Sequence, residues 1–479
     1  MLRKTRAPDT GTAVPGTTTL PALTGEVPPV AAKPSWCLWI PYVWFFFTST
    51  RALSSWISGG RTGLTIATNE SGSPLDRALM TFLIGCGTCI IFYRGQQTKR
   101  IVSKNPWLLL LFVFLELSIL WSNFPEISIR RGIRSAGALV MAMVVLTERS
   151  PATAVPLLLR RLYLVHIPAS IIAVKYFRHF GVLYNWDGSE EEWAGVATDK
   201  NSLGHLVMCC ALFSIWEILQ TWPQRRQHRL TLLRSVSLLV LSLFLLQGSK
   251  NSYSSTALIG FAACSVVIIA LQFVKTRHTH ARRVILTATM ALAICAIPIF
   301  LLFQALDTSP VDMVLHATGR NMTFTDRDLI WADVMNNAAK QPLLGVGIGA
   351  FWVGPIGYHM YPMPNWSGKT PGWRPEQAHN GFLDVYVQLG LVGLALFGIA
   401  IVSAFASGLK HLETDFHLGS LRLILLLAVL ISNTTETSFL DGTHGLWFLF
   451  ILLAMNLPGA TRRRQATQYA HGRFATLAL

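Results

Sequence analysis

The chain has 479 residues, of which 52% are apolar and only 13% are charged, and its mean hydropathy is +0.44. Soluble domains carry about 25% charged residues, so this composition excludes a soluble multidomain enzyme and a disordered protein. The 40 Lys and Arg residues outnumber the 24 Asp and Glu residues and give a net charge of +16. In a membrane protein, the distribution of such an excess indicates which loops are cytoplasmic.

The two ends of the chain are predicted to be cytoplasmic tails. Residues 1–34 are rich in Thr, Pro, Ala and Gly, which cannot bury a core, so we expect a disordered tail. No apolar stretch follows the charged start until Trp36, so the pattern does not predict a cleavable signal peptide. Residues 459–479 form a second, basic tail.

A helix that crosses a membrane needs about 20 mostly apolar residues. The sequence predicts nine such helices within residues 35–304 and three within 383–458. Their approximate bounds are 36–57, 75–93, 107–122, 133–147, 162–178, 202–221, 233–248, 254–274, 284–304, 383–407, 420–437 and 443–458. The weakest are 36–57, which contains Pro41 and Arg51, and 133–147, which is short.

Loop charge gives the orientation. If the termini lie inside, most of the Lys and Arg residues fall in inner loops, whereas the acidic run Glu190-Glu191-Glu192 falls outside. The excess positive charge then reflects topology, and nucleic-acid binding is excluded. The fold class predicted is an all-α polytopic membrane protein with about 12 transmembrane helices and one large outer loop, 305–382.

The large loop carries six aromatic residues within a short stretch: Phe351, Trp352, Tyr358, Tyr361, Trp366 and Trp373. One interpretation is a surface on which sugars stack. The other is an interfacial belt at the depth of the lipid headgroups, which Trp and Tyr favour. The sequence leaves both open.

A helix is predicted to start near Thr325 as N-cap and to stop before Pro342. Residues Arg327, Trp331, Val334 and Ala338 share one face, and Asp326, Asp333, Asn336, Asn337 and Lys340 populate the solvated side. An arginine on an apolar face needs an anion. We favour a ligand over the alternative, an internal salt bridge to Asp384 or Glu436.

Two apparent cofactor motifs in this loop are rejected. Asp326-Arg327-Asp328 spells the D-x-D of metal-dependent nucleotide-sugar transferases, but it lies at an outer helix start without a nucleotide domain, so no metal is predicted. Gly345, Gly347 and Gly349 lack the strand-helix unit of a dinucleotide site. They are predicted to be turn glycines.

Other candidate residues lie on the same face. His379 precedes the tenth span, so an imidazole and exposed helix N-terminal N–H groups would meet at a place suited to a phosphate. A lone interfacial histidine is also commonly structural. Lys250 and Lys200 are basic residues on this side, with snorkelling towards the interface as the alternative role.

The motifs resemble one known family. Gly319 to Trp331 (GRNMTFTDRDLIW), Pro342 to Gly347 (PLLGVG), His379 to Leu383 (HNGFL) and Leu389 to Gly393 (LGLVG) are similar to the O-antigen ligase and polymerase superfamily. Within it, the chain most resembles exopolysaccharide polymerases of the succinoglycan type. Weaker matches extend the resemblance over roughly residues 118 to 440.

The resemblance implies a GT-C-like glycosyltransferase of the bacterial inner membrane, with a periplasmic active site and no cofactor or metal. Donor and acceptor would be undecaprenyl-diphosphate-linked glycans, and a chain-length regulator and a flippase are further candidate partners. Arg320 and Arg327 would hold the diphosphate and His379 would act at the acceptor hydroxyl. The candidate substrate-binding residues are Lys250, Lys200, Trp331 and Asn380.

The sequence departs from the family pattern at two positions. Lys250 stands where arginine is common and cannot form a bidentate fork. Asp326 replaces the glycine expected before Arg327 and adds a negative charge there.

Three functions compete. The first is a polymerase that joins lipid-linked repeat units, and the second is a ligase that moves polysaccharide onto lipid A-core. The third is a transporter or flippase, which would need charges in the middle of its spans. Glu116 and Glu217 are the candidates for such charges, whereas the other unusual residues gather at one face, which favours an enzyme.

Overall fold

The computed structural model describes residues 34–59, 73–184, 190–249, 253–275, 327–353, 355–367 and 375–457. These residues form α-helices joined mostly by short turns. The helices before residue 276 are α1 (Trp39–Ser49), α2 (Leu53–Ile57), α3 (Pro74–Tyr93), α4 (Gly95–Val102), α5 (Pro106–Leu117), α6 (Pro125–Leu146), α7 (Pro151–Tyr176), α8 (Arg178–Gly181), α9 (Lys200–Thr221), α10 (Arg229–Gln247) and α11 (Ser255–Val274). Those after residue 326 are α12 (Arg327–Ala338), α13 (Pro355–Met360), α14 (Pro364–Ser367), α15 (Gly381–Thr414), α16 (Phe416–Ser432) and α17 (Gly445–Ala454).

A small hairpin accompanies the helices. Strands β1 (Val182–Tyr184) and β2 (Glu191–Trp193) are antiparallel, and Leu183 lies opposite Glu192. The acidic run predicted to lie outside the membrane therefore forms part of a strand that packs beside the start of α9.

Prolines mark several helix starts. Pro74, Pro106, Pro125 and Pro151 are the first residues of α3, α5, α6 and α7. The first turn of a helix leaves its N–H groups without helical partners, so a proline costs no hydrogen bond there and its fixed φ suits the helix. These prolines set helix starts that hydropathy alone placed less accurately.

The chain is a multi-pass membrane protein. Within the described residues, six helices are long and apolar enough to cross a bilayer, and a seventh span is added if the bent pair α4 and Pro106–Trp121 is one. The six include α3, α9, α10 and α11, which match predicted spans to within a few residues at most ends. The predicted span 284–304 lies outside the described residues, so the total of about 12 stays a prediction.

The first predicted span, 36–57, is wrong as a continuous helix. α1 has 11 residues, which at 1.5 Å per residue is about 16 Å and too short for a hydrocarbon core of about 30 Å. The helix ends just before Arg51, whose guanidinium donates to the carbonyl oxygens of Ala197 (3.0 Å) and Phe180 (2.6 Å). The charge that weakened the prediction is thus bound where the helix stops.

Two further spans differ from their predicted bounds. α6 starts at Pro125 instead of 133, and α7 starts at Pro151 instead of 162, so Arg160 belongs to a helix and not to a loop. Glu217 lies near the C-terminal end of α9, where it forms ion pairs with Arg160 and Arg234 (3.1 Å). It is therefore a paired charge at a helix end, which removes one of the two mid-span charges that a transporter would need.

Helix α9 lies at the centre of the core, and 78% of its apolar stretch is buried. This helix packs against α10, α11 and α16. Large side chains fill the space between the helices, and the indole N–H of Trp447 in α17 donates to Ser135 Oγ in α6 (2.9 Å). The hydrogen bond satisfies a polar group that burial would otherwise leave unpaired.

Helix α15 is interrupted at Gly390, where φ is 65° and ψ is −167°. The predicted span 383–407 crosses this break. The interruption frees backbone groups that a second segment, residues 342–347, then binds. The N–H groups of Leu391 and Val392 donate to the carbonyls of Pro342 (2.8 Å) and Leu343 (3.1 Å).

The same segment returns hydrogen bonds to α15. The N–H groups of Val346 and Gly347 donate to the carbonyls of Val387 (3.0 Å) and Gln388 (2.9 Å). Gly345, Gly347 and Gly349 all have positive φ, which confirms the prediction of turn glycines. The break and the glycine segment therefore satisfy each other's backbone groups, which a membrane protein requires.

Replacing Gly390 by alanine should lower the melting temperature of the detergent-purified protein. A Cβ there would lie 2.3 Å from the carbonyl carbon of Leu343, and the conformation itself costs a side chain on the order of 1–3 kcal/mol. Gly398→Ala is the matched control, because this glycine of the same helix has no neighbouring atom within 4 Å of a Cβ. Melting is followed by intrinsic fluorescence. Equal melting temperatures for Gly390→Ala and Gly398→Ala would contradict the proposed role of the break.

Candidate functional site

Helix α12 places the first candidate residue. It runs from Arg327 to Ala338 and ends before Pro342, as predicted, while the predicted cap Thr325 lies outside the described residues. Val334 and Ala338 are buried, and Arg327 is only 17% exposed at its side chain. The predicted face is confirmed, and the arginine points towards protein.

On the side of α12 predicted to be solvated, Asn336 and Lys340 are exposed, but the prediction is wrong for two other residues. Asp333 and Asn337 are buried. The Asp333 carboxylate accepts from the side-chain amide of Asn365 (2.7 Å) and from the backbone N–H of Trp366 (3.0 Å), and Asn337 donates to Pro362 O (2.8 Å). These polar side chains bind the loop that follows, because buried polar groups need partners.

The loop aromatics that the structure describes belong to an inner core, which matches neither predicted interpretation. Phe351, Tyr361 and Trp366 are buried and pack with Ile330 and Val334 of α12. Trp352 is half-buried and donates its indole N–H to Asp384. Tyr358 and Trp373 have side chains outside the described part of the chain. The aromatics described here stabilise the loop and hold α12 in place.

A single carboxylate, that of Glu436, joins the candidate residues. Its Oε1 accepts from Arg327 Nη2 (2.7 Å) and from Asn201 Nδ2 (2.7 Å). Its Oε2 lies 2.9 Å from His379 Nδ1 and accepts from Gln377 Nε2 (3.3 Å). The structure thus brings together two of the predicted catalytic residues, Arg327 and His379, through an acid.

This arrangement is the internal salt bridge that stood as the alternative for Arg327. The partner is Glu436, one of the two acids named for it, while Asp384 binds other groups. We call Arg327, His379 and Glu436, with Asn201 and Gln377, the Glu436 cluster. Its members come from α12, from the segment before α15, from the segment after α16, and from the first turn of α9.

The backbone around His379 is held by several contacts. The residue has a φ of 50°, a conformation uncommon for residues other than glycine, although histidine is among those enriched in it. Trp331 Nε1 donates to Ala378 O (2.8 Å), and Ala378 N–H donates to the buried Asp384 carboxylate (3.1 Å). Trp331, a predicted substrate-binding residue, therefore fixes the segment that carries the histidine.

The N-terminus of α15 is capped by protein groups, so the expectation of exposed N–H groups for a phosphate is wrong. Asn380 Oδ1 accepts from the N–H groups of Phe382 (3.1 Å) and Leu383 (3.2 Å), and Gly381 N–H donates to Asn433 O (2.8 Å). Asn380 is buried and serves as the N-cap. Its contacts are those of a structural residue.

The charge state of the Glu436 cluster follows from these contacts. Burial raises the pKa of Glu436, but the hydrogen bond and charge of His379 and the charge of Arg327 outweigh burial and lower the pKa below its ordinary value of 4.5. An ionised carboxylate only accepts hydrogen bonds. His379 Nδ1 therefore carries the proton in its contact with Glu436, and Nε2 is left as an acceptor when the ring is neutral.

Of the remaining predicted residues, one is described and two are not. Lys200 is the first residue of α9, and its Nζ forms an ion pair with Glu192 Oε1 in β2 (2.6 Å). It is bound to the hairpin, which differs from simple snorkelling. Arg320 and Lys250 lie outside the described residues.

Sequence reasoning missed the roles of Gln377 and Asn201. Gln377 also accepts from Thr437 N–H (3.2 Å) at its Oε1, so it fixes the residue that follows Glu436. No role was predicted for Asn201, which directly follows Lys200. The available signal for Glu436 was its position as an acid directly after the outer end of an apolar run.

Comparison with known proteins agrees with the motifs. The family model described as O-Antigen ligase matches residues 251–398, a range that contains Arg327 and His379. Over this range the chain is similar to the O-antigen ligase family. The exopolysaccharide production protein ExoQ of Rhizobium meliloti (strain 1021) is 25% identical over 374 residues, which cover 75% of this chain and 79% of the relative. Glu436 and Asn201 lie outside the range of the O-antigen ligase match.

The lowered pKa of Glu436 predicts a pH dependence of stability. The folded state binds this proton more weakly than the unfolded state, so the contribution of the carboxylate is present above pH 4.5 and is lost as the pH falls through the lower folded-state pKa. Wild type should melt at a higher temperature than Glu436→Gln at pH 7, and the difference should shrink below pH 4.5.

The control for this measurement is Glu126→Gln, which changes an exposed carboxylate in the first turn of α6. Its melting temperature should differ little from that of wild type across the same pH range. A constant difference in melting temperature between wild type and Glu436→Gln from pH 7 to pH 4 would show that ionisation of Glu436 does not contribute to stability.

Proposed function

We propose that the protein is an inner-membrane glycosyltransferase that polymerises undecaprenyl-diphosphate-linked repeat units into exopolysaccharide or O-antigen at the periplasmic face. The observation that carries the proposal is that Arg327 and His379, on separate segments, contact the same partly buried carboxylate, Glu436. A cation and a base that contact the same carboxylate suit a reaction with an anionic leaving group and a hydroxyl nucleophile. The family and the name of the ExoQ relative support the choice of polysaccharide chemistry.

In the proposed reaction, His379 is the general base. Its Nδ1–H donates to Glu436, so Nε2 faces the acceptor hydroxyl and takes its proton. The hydroxyl oxygen forms a bond to the anomeric carbon as the bond from that carbon to the diphosphate oxygen breaks. The diphosphate leaves with the electron pair, and direct displacement inverts the anomeric carbon. Glu436 stabilises the imidazolium that results.

Arg327 is the group proposed for the leaving diphosphate. A guanidinium has five N–H donors, and the contact with Glu436 uses Nη2. Negative charge on the diphosphate grows as the glycosidic bond breaks, so a fixed cation stabilises the transition state more than the ground state. Arg320, Lys250 and Lys200 are proposed to add positive charge, and the reaction is proposed to need no metal.

The proposed setting follows the charge pattern of the loops, with both termini cytoplasmic and the Glu436 cluster facing the periplasm. A flippase would deliver the lipid-linked unit, and a chain-length regulator would act on the product. The ligase remains the second candidate, because the matching family model is described as an O-antigen ligase. It shares the donor chemistry and differs in the acceptor, lipid A-core.

Replacing His379 or Arg327 by alanine should strongly slow glycosyl transfer. The experiment uses purified protein in detergent with EDTA and a lipid-diphosphate-linked repeat unit from the native pathway, with products resolved by gel. Wild type should give a ladder, and loss of a general base should slow transfer by about 10²–10⁴-fold. The matched control is Arg178→Ala, because Arg178 pairs with Glu191 in the exposed hairpin region.

The outcomes of this assay separate the candidates. Consumption of the substrate only after addition of lipid A-core would replace the polymerase with the ligase. Full activity of His379→Ala and Arg327→Ala beside an active wild type would contradict the site. A ladder that EDTA abolishes would contradict the proposed metal independence.

Glu436 is proposed as a positioning residue that acts through His379. In Glu436→Gln, the amide could donate to Nδ1 and place the ring proton on Nε2, the wrong tautomer for a base. We expect kcat to fall on the order of 10²-fold with a smaller change in KM. Glu436→Asp should recover part of kcat because it keeps a charged acceptor. Equal kcat values for the Gln and Asp variants would argue against a role in orienting the imidazole.

A further inference from the structure

A cavity of about 200 Å³ lies beside the Glu436 cluster. It is enclosed by the C-terminal end of α1, by α7, by the first turns of α9 and by residues 441–449 at the start of α17. Ser202 lines the cavity, whereas the preceding residue, Asn201, donates to Glu436. The first turn of α9 thus contributes residues to both the cavity and the cluster.

The wall of the cavity is rich in hydroxyl groups that already donate to protein acceptors. Thr48 and Thr50 donate to the carbonyls of Trp44 (3.0 Å) and Phe46 (2.9 Å). In the same way, Thr198 and Ser202 donate to the Asp199 carboxylate and Thr443 donates to Asp441. Each of these five hydroxyls has its hydrogen engaged, so what it offers to a ligand is an oxygen lone pair.

Tyr163 and His444 are groups of the cavity that can donate a hydrogen bond. Tyr163 is 1% exposed and lines the cavity, and its hydroxyl has no hydrogen-bond partner among the described residues. Burial of an unpaired hydroxyl is costly, so this group fits a site that a ligand completes. His444 Nδ1 accepts from Leu446 N–H (3.2 Å), which leaves the proton of the neutral ring on Nε2.

The charge of the lining excludes a phosphate as the natural occupant. Asp441 contributes a carboxylate, and among the described residues none of those that enclose the cavity is a lysine or arginine. Phe45, Leu206 and Leu449 give the wall apolar surfaces. Many acceptors, few donors, apolar surfaces and negative charge together match a neutral ring that carries several hydroxyl groups.

We propose that this cavity binds one neutral sugar ring of the lipid-linked glycan, next to the ring that reacts at His379. The choice of glycan rests on the proposed function, while the class of ligand rests on the cavity itself. The diphosphate would bind at the Glu436 cluster and the sugar would bind in the cavity. Tyr163 donates to a ring hydroxyl, and Asp441 and the threonines accept from others.

The test is direct binding, which needs no transfer activity. Full-length protein in phosphatidylcholine nanodiscs is mixed with methyl glycosides of glucose, galactose and mannose, and saturation-transfer NMR reports which ring protons contact protein. Nanodiscs replace sugar-based detergents, which would compete. Wild type should give transfer to at least one glycoside, and pyrophosphate should not displace it.

Two variants locate the binding. Tyr163→Phe removes only the hydroxyl and should weaken affinity by about 3–10-fold, the range for one hydrogen bond. Thr443→Trp fills the exposed mouth of the cavity and should abolish saturation transfer to the glycoside. Ser103→Trp adds a tryptophan at an exposed position outside the cavity and should leave saturation transfer unchanged. His379→Ala should bind like wild type even if it has lost glycosyl transfer.

Several results would overturn the inference. No transfer from any of the three glycosides would mean that the cavity holds water only. Unchanged binding in both Tyr163→Phe and Thr443→Trp would place the sugar elsewhere. Displacement by pyrophosphate would show an anion site. Because none of these readouts uses catalysis, they are independent of whether the proposed polymerase activity is found.

Discussion

The partly buried carboxylate of Glu436 is the constraint on which the candidate site depends. A charge removed from water is stable only if it is paired and hydrogen-bonded, and Glu436 meets this condition through Arg327, His379, Asn201 and Gln377. These partners lie on segments far apart in the chain. The electrostatic requirement of one acid therefore fixes the relative positions of α12, the start of α15 and the start of α9.

The broken helix α15 supports this site through its contacts with a neighbouring loop segment. Because Gly390 adopts a conformation that other residues avoid, the helix releases backbone groups that the segment 342–347 binds. That segment continues into Gly349, whose N–H donates to Gln388 Oε1 (2.7 Å) and whose carbonyl accepts from Arg131 of α6. The loop aromatics then pack against α12. The site is thus carried by segments whose backbone groups are satisfied by the helix bundle, which gives its side chains a defined geometry.

Local sequence patterns predicted the parts of this arrangement that depend on near neighbours. The face of α12, the turn glycines and the spans of α9, α10 and α11 all follow from periodicity or from backbone preference over a few residues. The pairing of Glu436 with Arg327 depends on side chains 109 positions apart, which periodicity does not encode. The prediction for Asp333 was wrong for a related reason. Asp333 binds a loop that follows the helix, and the sequence pattern alone predicts that such a polar residue is exposed to solvent. The role of Arg51 was equally inaccessible to local patterns, because the carbonyls that accept its hydrogen bonds belong to a distant segment.

The double hydrogen bonding of Glu436 Oε1 bears on how an anion could enter the site. If a diphosphate draws Arg327 away, Oε1 keeps the hydrogen bond from Asn201, and Oε2 keeps those from His379 and Gln377. The carboxylate is then still satisfied, so the free energy needed to release the arginine is smaller than for an isolated buried pair. The negative charge of Glu436 also stays beside the imidazole while the proton arrives. A cluster with more than one donor per oxygen can therefore exchange its cation for a substrate contact without leaving a buried charge alone.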